Sequence, residues 1–111
     1  MKREDILRNK SDFDRLRNKG KSYPGKHIVL VCLKNEFEFN RKAFLASKKV
    51  GNSVKRHRAV RLMRESYRLL EPQFPQGYDL LFIARNTIND TKCADVKKSI
   101  EAASKRLGLL G

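Results

Sequence analysis

The sequence predicts a small α+β sandwich, one sheet covered by helices, in a single domain spanning residues 1–111. Three observations lead there. Two runs, His27 to Leu33 and Tyr78 to Ala84, are almost continuously apolar and rich in β-branched and aromatic residues, as buried strands are. Two other stretches, from Ser53 towards Pro72 and from about Thr91 to Leu107, repeat their apolar residues at helical spacing. The order α-β-β(β)-α-β-α, with no repeat, linker or low-complexity tract, folds as a sheet with helices packed on it. At 111 residues the chain can bury one modest core.

Taken in order, Met1 to Lys10 is basic with only Ile6 and Leu7 to anchor it, and reads as a poorly ordered arm. Ser11-Asp12-Phe13-Asp14 resembles a capping box, with Asp14 in the place usually held by Glu or Gln. Phe13 and Leu16 lie three apart and Gly20 is a stop, which predicts a short helix over Asp12–Lys19. Tyr23-Pro24-Gly25 reads as a turn before the first buried strand. Asn35 to Arg41 alternates Phe37 and Phe39 with Glu36, Glu38 and Asn40. It is either a hairpin end or an exposed loop, and the hairpin is the expectation. Lys42 to Val50 is the next strand, with Phe44 and Ala46 on one face and Leu45 and Ser47 on the other.

Gly51-Asn52-Ser53 then breaks the strand and offers Asn52 or Ser53 as a helix N-cap. In the helix that follows, Ala59, Met63, Ser66, Tyr67 and Leu70 share one side, flanked by Leu62 and Leu69. His57, Arg61, Arg64 and Arg68 form a second stripe within an arc of roughly 60°. From Ser47 to Arg68 the chain carries Lys48, Lys49, Lys55, Arg56, Arg58, Arg61, Arg64 and Arg68 against a single acid, Glu65. One helical face can dock on a core while the other holds a row of guanidinium groups. Their planar forks match phosphate oxygens in pairs. Lys48, Lys49, Lys55 and Arg56 gather at the N-terminal end, where cations oppose the helix dipole. That placement makes sense if an anion sits between them and the free backbone N–H groups. For the arginines the plainer alternative is a solvated face, and Arg64 could instead pair with an acid or a carbonyl.

Pro72, Pro75 and Gly77 make the connection to the strand Tyr78–Ala84. Arg85 to Asp90 is a polar loop. The last helix, over about Thr91–Leu107, places Cys93, Val96, Ile100, Ala103 and Leu107 on one stripe.

Lys and Arg number 26 against 12 Asp and Glu, a net charge of +14, which is the footprint of a nucleic-acid binder. No run approaches the apolar length of a membrane span, and the start lacks a signal-peptide core, so the expected location is cytoplasmic. Cys32 and Cys93, far apart, read as free thiols, and no zinc pattern is present. His27 and His57 have no serine or cysteine neighbour at a useful spacing, and Glu36, Glu38, Glu65, Asp79, Asp90 and Asp95 are scattered. A two-metal nuclease needs carboxylates converging on two ions. Glu65 reads instead as a partner of Arg61 or Arg68. No catalytic residue and no metal ligand is assigned.

The run Ser47-Lys48-Lys49-Val50-Gly51-Asn52-Ser53-Val54-Lys55-Arg56-His57-Arg58, continued by Arg61-Leu62-Met63-Arg64-Glu65, resembles the signature of the bacterial ribonuclease P protein family. That family carries a Lys-Lys-Val-Gly-Asn turn, an Arg-Asn-Arg helix start and a later Arg-Glu pair, and the resemblance covers most of the chain. His57 stands where the family usually has asparagine. Imidazole also donates to phosphate, and such a contact is pH-sensitive near neutrality.

The resemblance implies a non-catalytic protein subunit of an RNA-based endoribonuclease that removes the 5′ leader from precursor tRNA. The partners are then the ribonuclease P RNA and precursor tRNA, with no membrane and no stable protein partner. Mg²⁺ is the cofactor, bound mainly by the RNA. Lys48, Lys49, Asn52, Lys55, Arg56, His57, Arg58, Arg61, Arg64 and Arg68 are expected to face RNA. Phe13 matches a family aromatic beside a leader cleft floored by the sheet; the plainer alternative is a core residue that staples the first helix. Two further leader positions, aromatic in many members, are Arg17 and Val31 here, which weakens stacking there. The strand–helix–strand unit from Val50 to Tyr78 would be right-handed by the general rule. The family has a left-handed crossover, shared with a domain of some ribosomal proteins. A structural RNA-binding module such as a small ribosomal protein is the alternative, and a shapeless polyanion or membrane-surface binder is a third. The shaped Lys-Lys-Val-Gly-Asn turn argues against the last.

Overall fold

The computed structural model describes residues 6–110. They form α1 (Lys10–Lys19), β1 (Lys21–Pro24), β2 (Ile28–Lys34), β3 (Arg41–Leu45), α2 (Ser53–Leu70), β4 (Tyr78–Ala84) and α3 (Cys93–Arg106). Short 3₁₀ turns cover Glu71–Gln73 and Asn86–Asp90. The strands build one sheet in the order β1-β2-β4-β3. β2 is antiparallel to both β1 and β4, whereas β3 and β4 run parallel and are joined through α2. The α+β sandwich is thus realised as a mixed sheet.

The sheet has two unequal faces. Ile28, Leu30, Cys32, Leu80, Phe82 and Ala84 pack against α2 and α3 through Ala59, Met63, Tyr67, Leu70, Val96, Ile100 and Ala103. The opposite face holds a smaller cluster of Leu7, Leu16, Val31, Ala43 and Leu81, covered only by α1 and the segment before it. The buried face of α2 is the one its periodicity predicts, Ala59, Met63, Ser66, Tyr67 and Leu70. Leu62 packs at the margin of that core, and Leu69 is exposed.

Five expectations change. The strand expected over Lys42–Val50 is shorter, Arg41–Leu45, because the chain turns at Lys48–Val50 to enter α2. The segment Asn35–Asn40 is not the end of a hairpin, because β4, apolar on both faces, lies between β2 and β3. Two buried asparagines close this loop instead. Asn35 Nδ2 donates to the Phe39 carbonyl (3.2 Å) and its Oδ1 accepts from Phe37 N–H (2.8 Å). Asn40 Nδ2 donates to the Pro75 carbonyl (2.8 Å) and its Oδ1 accepts from Tyr78 N–H (2.8 Å). Lys21–Pro24 is an edge strand rather than the approach to a turn, and Pro24 stands at its end, where no ladder bond is lost. Ile6 and Leu7 do not belong to a loose arm: Leu7 is buried and its N–H donates to the Lys42 carbonyl on the outer edge of β3 (3.0 Å). The rest of that predicted arm, Met1 to Asp5, lies outside the described residues. α1 begins two residues before Asp12, behind Asn9, so Ser11 sits inside its first turn.

Candidate nucleic-acid interface

The interface begins at the turn before α2. β3 stops at Leu45, and Val50 N–H closes a turn on the Ser47 carbonyl (3.0 Å). Gly51 has φ +143°, and a Cβ there would lie 2.7 Å from Lys55 Cδ, so only glycine fits without strain. Asn52 is the N-cap: its Oδ1 accepts from Lys55 N–H (3.0 Å). Asn89 Nδ2, from the turn before α3, donates to the Val50 carbonyl (2.7 Å) and fixes the turn from below. Lys48, Lys49, Asn52 and Lys55 are all exposed around this end. Arg56 is half-buried, and its Nε has no hydrogen-bond partner. With His57, Ser53, Phe44, Leu45 and Val60 it lines a cavity of about 310 Å³.

Along α2, His57, Arg61, Arg64 and Arg68 are exposed, as the stripe requires. Arg58 stands apart from them. Its guanidinium turns inward, donating from Nη1 to the carbonyls of Ile88 (3.4 Å) and Asn89 (3.3 Å) and from Nη2 to that of Thr91 (2.5 Å). It therefore donates to carbonyls at the end of the Asn86–Asp90 turn and at Thr91 just past it, and ties the entry of α3 to α2. Glu65 makes no ion pair with Arg61 or Arg68 among the described residues.

On the other side of β3, Phe13 is half-buried at the rim of the small core, and it shares a cavity with Arg64. Leu7, Ala43, Phe44 and Leu45 also line this cavity, of about 460 Å³, which wraps the edge of β3. The Arg64 guanidinium lies 5.9 Å from the centre of the Phe44 ring, which itself stacks on Phe82 at 5.1 Å. Arg17 is exposed on the last turn of α1. Val31 is only 7 % exposed, because Leu16 and Leu7 cover it, and it offers almost no surface to a ligand. The next row of the same face is more open. Val29, Ile83 and Leu45 are register neighbours across β2, β4 and β3, and all are half-buried. The alternation of β2 could have identified Val29, one period from Val31, but not that α1 stops short of it.

α1 is fixed by a charge network that no local pattern in the sequence signals. Asp79, fully buried on β4, accepts from Arg41 Nε (2.9 Å) and Asn35 Nδ2 (3.0 Å) at Oδ1. Its Oδ2 accepts from Arg41 Nη2 (2.7 Å) and from Arg15 Nη2 (3.2 Å) of α1. Arg41 Nη1 reaches on to Asp12 of α1 at 3.2 Å. The hydrogen bond to Asp79 raises the Arg41 pKa further. Asp12 and Arg15 bracket Phe13, so this network sets where that ring stands. Cys32 is buried, which pushes its thiol pKa up, and both cysteines are free. Among the described residues no three His, Cys, Asp or Glu side chains gather as a metal site. No described helix is long and apolar enough to cross a membrane.

A mixed sheet backed by two helices on one face, with a row of free guanidinium groups beside an aromatic-walled groove, defines a small polyanion-binding α+β domain. The sequence profile of the Ribonuclease P family matches residues 1–108. The ribonuclease P protein component of Pelotomaculum thermopropionicum is 42 % identical over 106 residues, covering 96 % of this chain and 95 % of that one. That of Clostridium botulinum (strain Loch Maree) is 44 % identical over 108 residues, covering 96 % and 97 %. The solved Staphylococcus aureus RNase P protein superposes with a TM-score of 0.85 at 26 % identity, over 96 % of this chain and 98 % of that one. The chain belongs to the ribonuclease P protein family.

Proposed function

We propose that this chain, as the protein subunit of ribonuclease P, binds the catalytic RNA along α2 and holds the single-stranded 5′ leader of precursor tRNA in the groove beside Phe13. The observation that carries this reading is the junction at Arg64, where the guanidinium row and the aromatic-walled cavity share one side chain. Phosphates of the RNA would lie on His57, Arg61, Arg64 and Arg68 and on Lys48, Lys49, Asn52, Lys55 and Arg56 at the helix start. Arg58 would contribute by holding α2 against the turn at Asn86–Asp90. In the groove, Phe13 stacks a base, the half-buried row Val29–Ile83–Leu45 floors it, and Arg17 attracts the backbone.

Cleavage of the leader is assigned to the RNA with its bound Mg²⁺. This chain's exposed cations suit phosphates, whereas Mg²⁺ takes oxygen ligands. What α2 supplies is neutralisation of phosphate repulsion where two RNAs meet, so less Mg²⁺ is needed to hold them together. The setting is the cytoplasm, with RNA partners and no stable protein partner. The test is to add the protein to a ribonuclease P RNA and precursor tRNA at low Mg²⁺. Rescue of 5′ cleavage is expected. RNA binding without rescue would favour a structural RNA-binding module instead.

A further inference from the structure

We infer that the groove does not end at the leader cleft but continues past Arg64 into a second pocket, which takes one unpaired RNA nucleotide. Three cavities lie in sequence along the outer edge of β3. The one at the helix start shares Phe44 and Leu45 with the cleft, and the cleft shares Lys42 and Arg64 with the third. This third cavity, about 420 Å³, lies between the C-terminal half of α2 and the loop Asn35–Asn40.

Its walls divide by chemistry. Arg64 and Arg68, one helical turn apart, line one side, and neither is ion-paired among the described residues. Lys42 is buried and already neutralised, its Nζ 3.0 Å from Glu71 Oε2 and 5.7 Å from the centre of the Tyr67 ring. The cationic surplus of the pocket therefore belongs to the two arginines. Phe39, from the loop, and Pro72, just past the end of α2, supply apolar wall. Phe39 is held by a stack on Phe37 (5.2 Å between ring centres), and Phe37 lies under the Arg41 guanidinium at 4.8 Å. Glu36 and Glu38, exposed on the same loop, are not among the walls and repel a phosphate on that side. A nucleotide is thus oriented with its phosphate on Arg64 and Arg68 and its base against Phe39. A duplex keeps its bases stacked inside and would touch only the arginine row, so the concave part of the site selects an unpaired residue.

This inference takes the identity of the polymer from the function proposed above. The nucleotide belongs either to the leader or to the catalytic RNA, and the experiment separates the two. Photoreactive p-benzoylphenylalanine is placed at Gln76, on the pocket wall, and, as a control, at the exposed Ala102 of α3. Holoenzymes are assembled with labelled precursor tRNA or labelled ribonuclease P RNA, irradiated, and the adducts mapped. Adducts from Gln76 should fall on one or two consecutive unpaired nucleotides, in the leader or in the catalytic RNA, and should weaken when Arg68→Ala is added. Adducts no stronger than those from Ala102, or spread over paired nucleotides, or indifferent to Arg68→Ala, would overturn the inference. Assembly and cleavage by the same preparations report separately on the ribonuclease P reading.

A second measurement needs no holoenzyme. Binding of single-stranded decauridylate to the free protein should weaken roughly five- to a hundredfold with Phe39→Ala and recover with Phe39→Trp, since any aromatic face stacks a base. Equal affinity of the parent and Phe39→Ala proteins, with unchanged circular dichroism, contradicts the pocket.

Discussion

Both carboxylate oxygens of Asp79 are committed beneath α1, each to two donors. Asp79→Asn keeps the shape but leaves Arg41 and Arg15 without their buried counter-charge. The expected loss is about 3 kcal/mol in denaturant unfolding, since breaking one side of a buried pair strands the other. Arg58 and Arg61 make a second test at this scale. Arg58→Ala removes a donor from the carbonyls of Asn89 and Thr91, while that of Ile88 keeps its two from Thr91, and should cost about 1–3 kcal/mol. Arg61→Ala, on the exposed stripe, should stay within about 0.5 kcal/mol of the parent. Nothing in the local sequence separates these two arginines, because the partners of Arg58 lie thirty residues further on. Asp79 was equally illegible: it reads as one of several scattered acids until Arg41, Arg15 and Asn35 are brought to it by the sheet.

At the scale of the element, α2 carries both periodicities that the sequence displays, and both survive in the fold. Its buried face was legible because burial follows the 3.6-residue period whatever the partner is. Its N-cap was legible because Gly51-Asn52 is a local signal. Strand order was not, since it depends on which apolar runs are covered on both faces. The alternation of Phe37 and Phe39 looks like a strand, yet it belongs to a loop whose two rings stack on each other and whose ends are closed by Asn35 and Asn40. β1 escaped notice because it is an edge strand with only Tyr23 partly buried. The functional prediction for α2 concerns salt. Replacing Arg61 and Arg64 by Ala should weaken binding to ribonuclease P RNA. The slope of log K against log salt should flatten by about 1 for each phosphate no longer neutralised. Circular dichroism should barely change. A parent-like slope would make the stripe a solvated face.

For the whole molecule, a net charge of +14 on one small domain opposes compaction, and the cations around the α2 start have no acid in the first turn to offset them. Sulfate or phosphate binding the folded state should raise the melting temperature, contributing about 2.7 kcal/mol at a hundred times its Kd. A melting curve indifferent to these anions in low-salt buffer would count against this. The groove itself is also a property of the assembled chain: α1, tied down by Asp12 and Arg15, brings Phe13 to the cavity it shares with Arg64. Binding of precursor and mature tRNA by holoenzymes carrying the parent or Phe13→Ala protein, in Ca²⁺ to slow cleavage and over a series of leader lengths, tests that groove most directly. The protein should favour precursor over mature tRNA, with an advantage that grows over the first several leader nucleotides and then levels off. Phe13→Ala should remove about 1–3 kcal/mol of it, as expected for one stacked base. Equal protein-dependent gains for precursor and mature tRNA at every leader length would contradict the account.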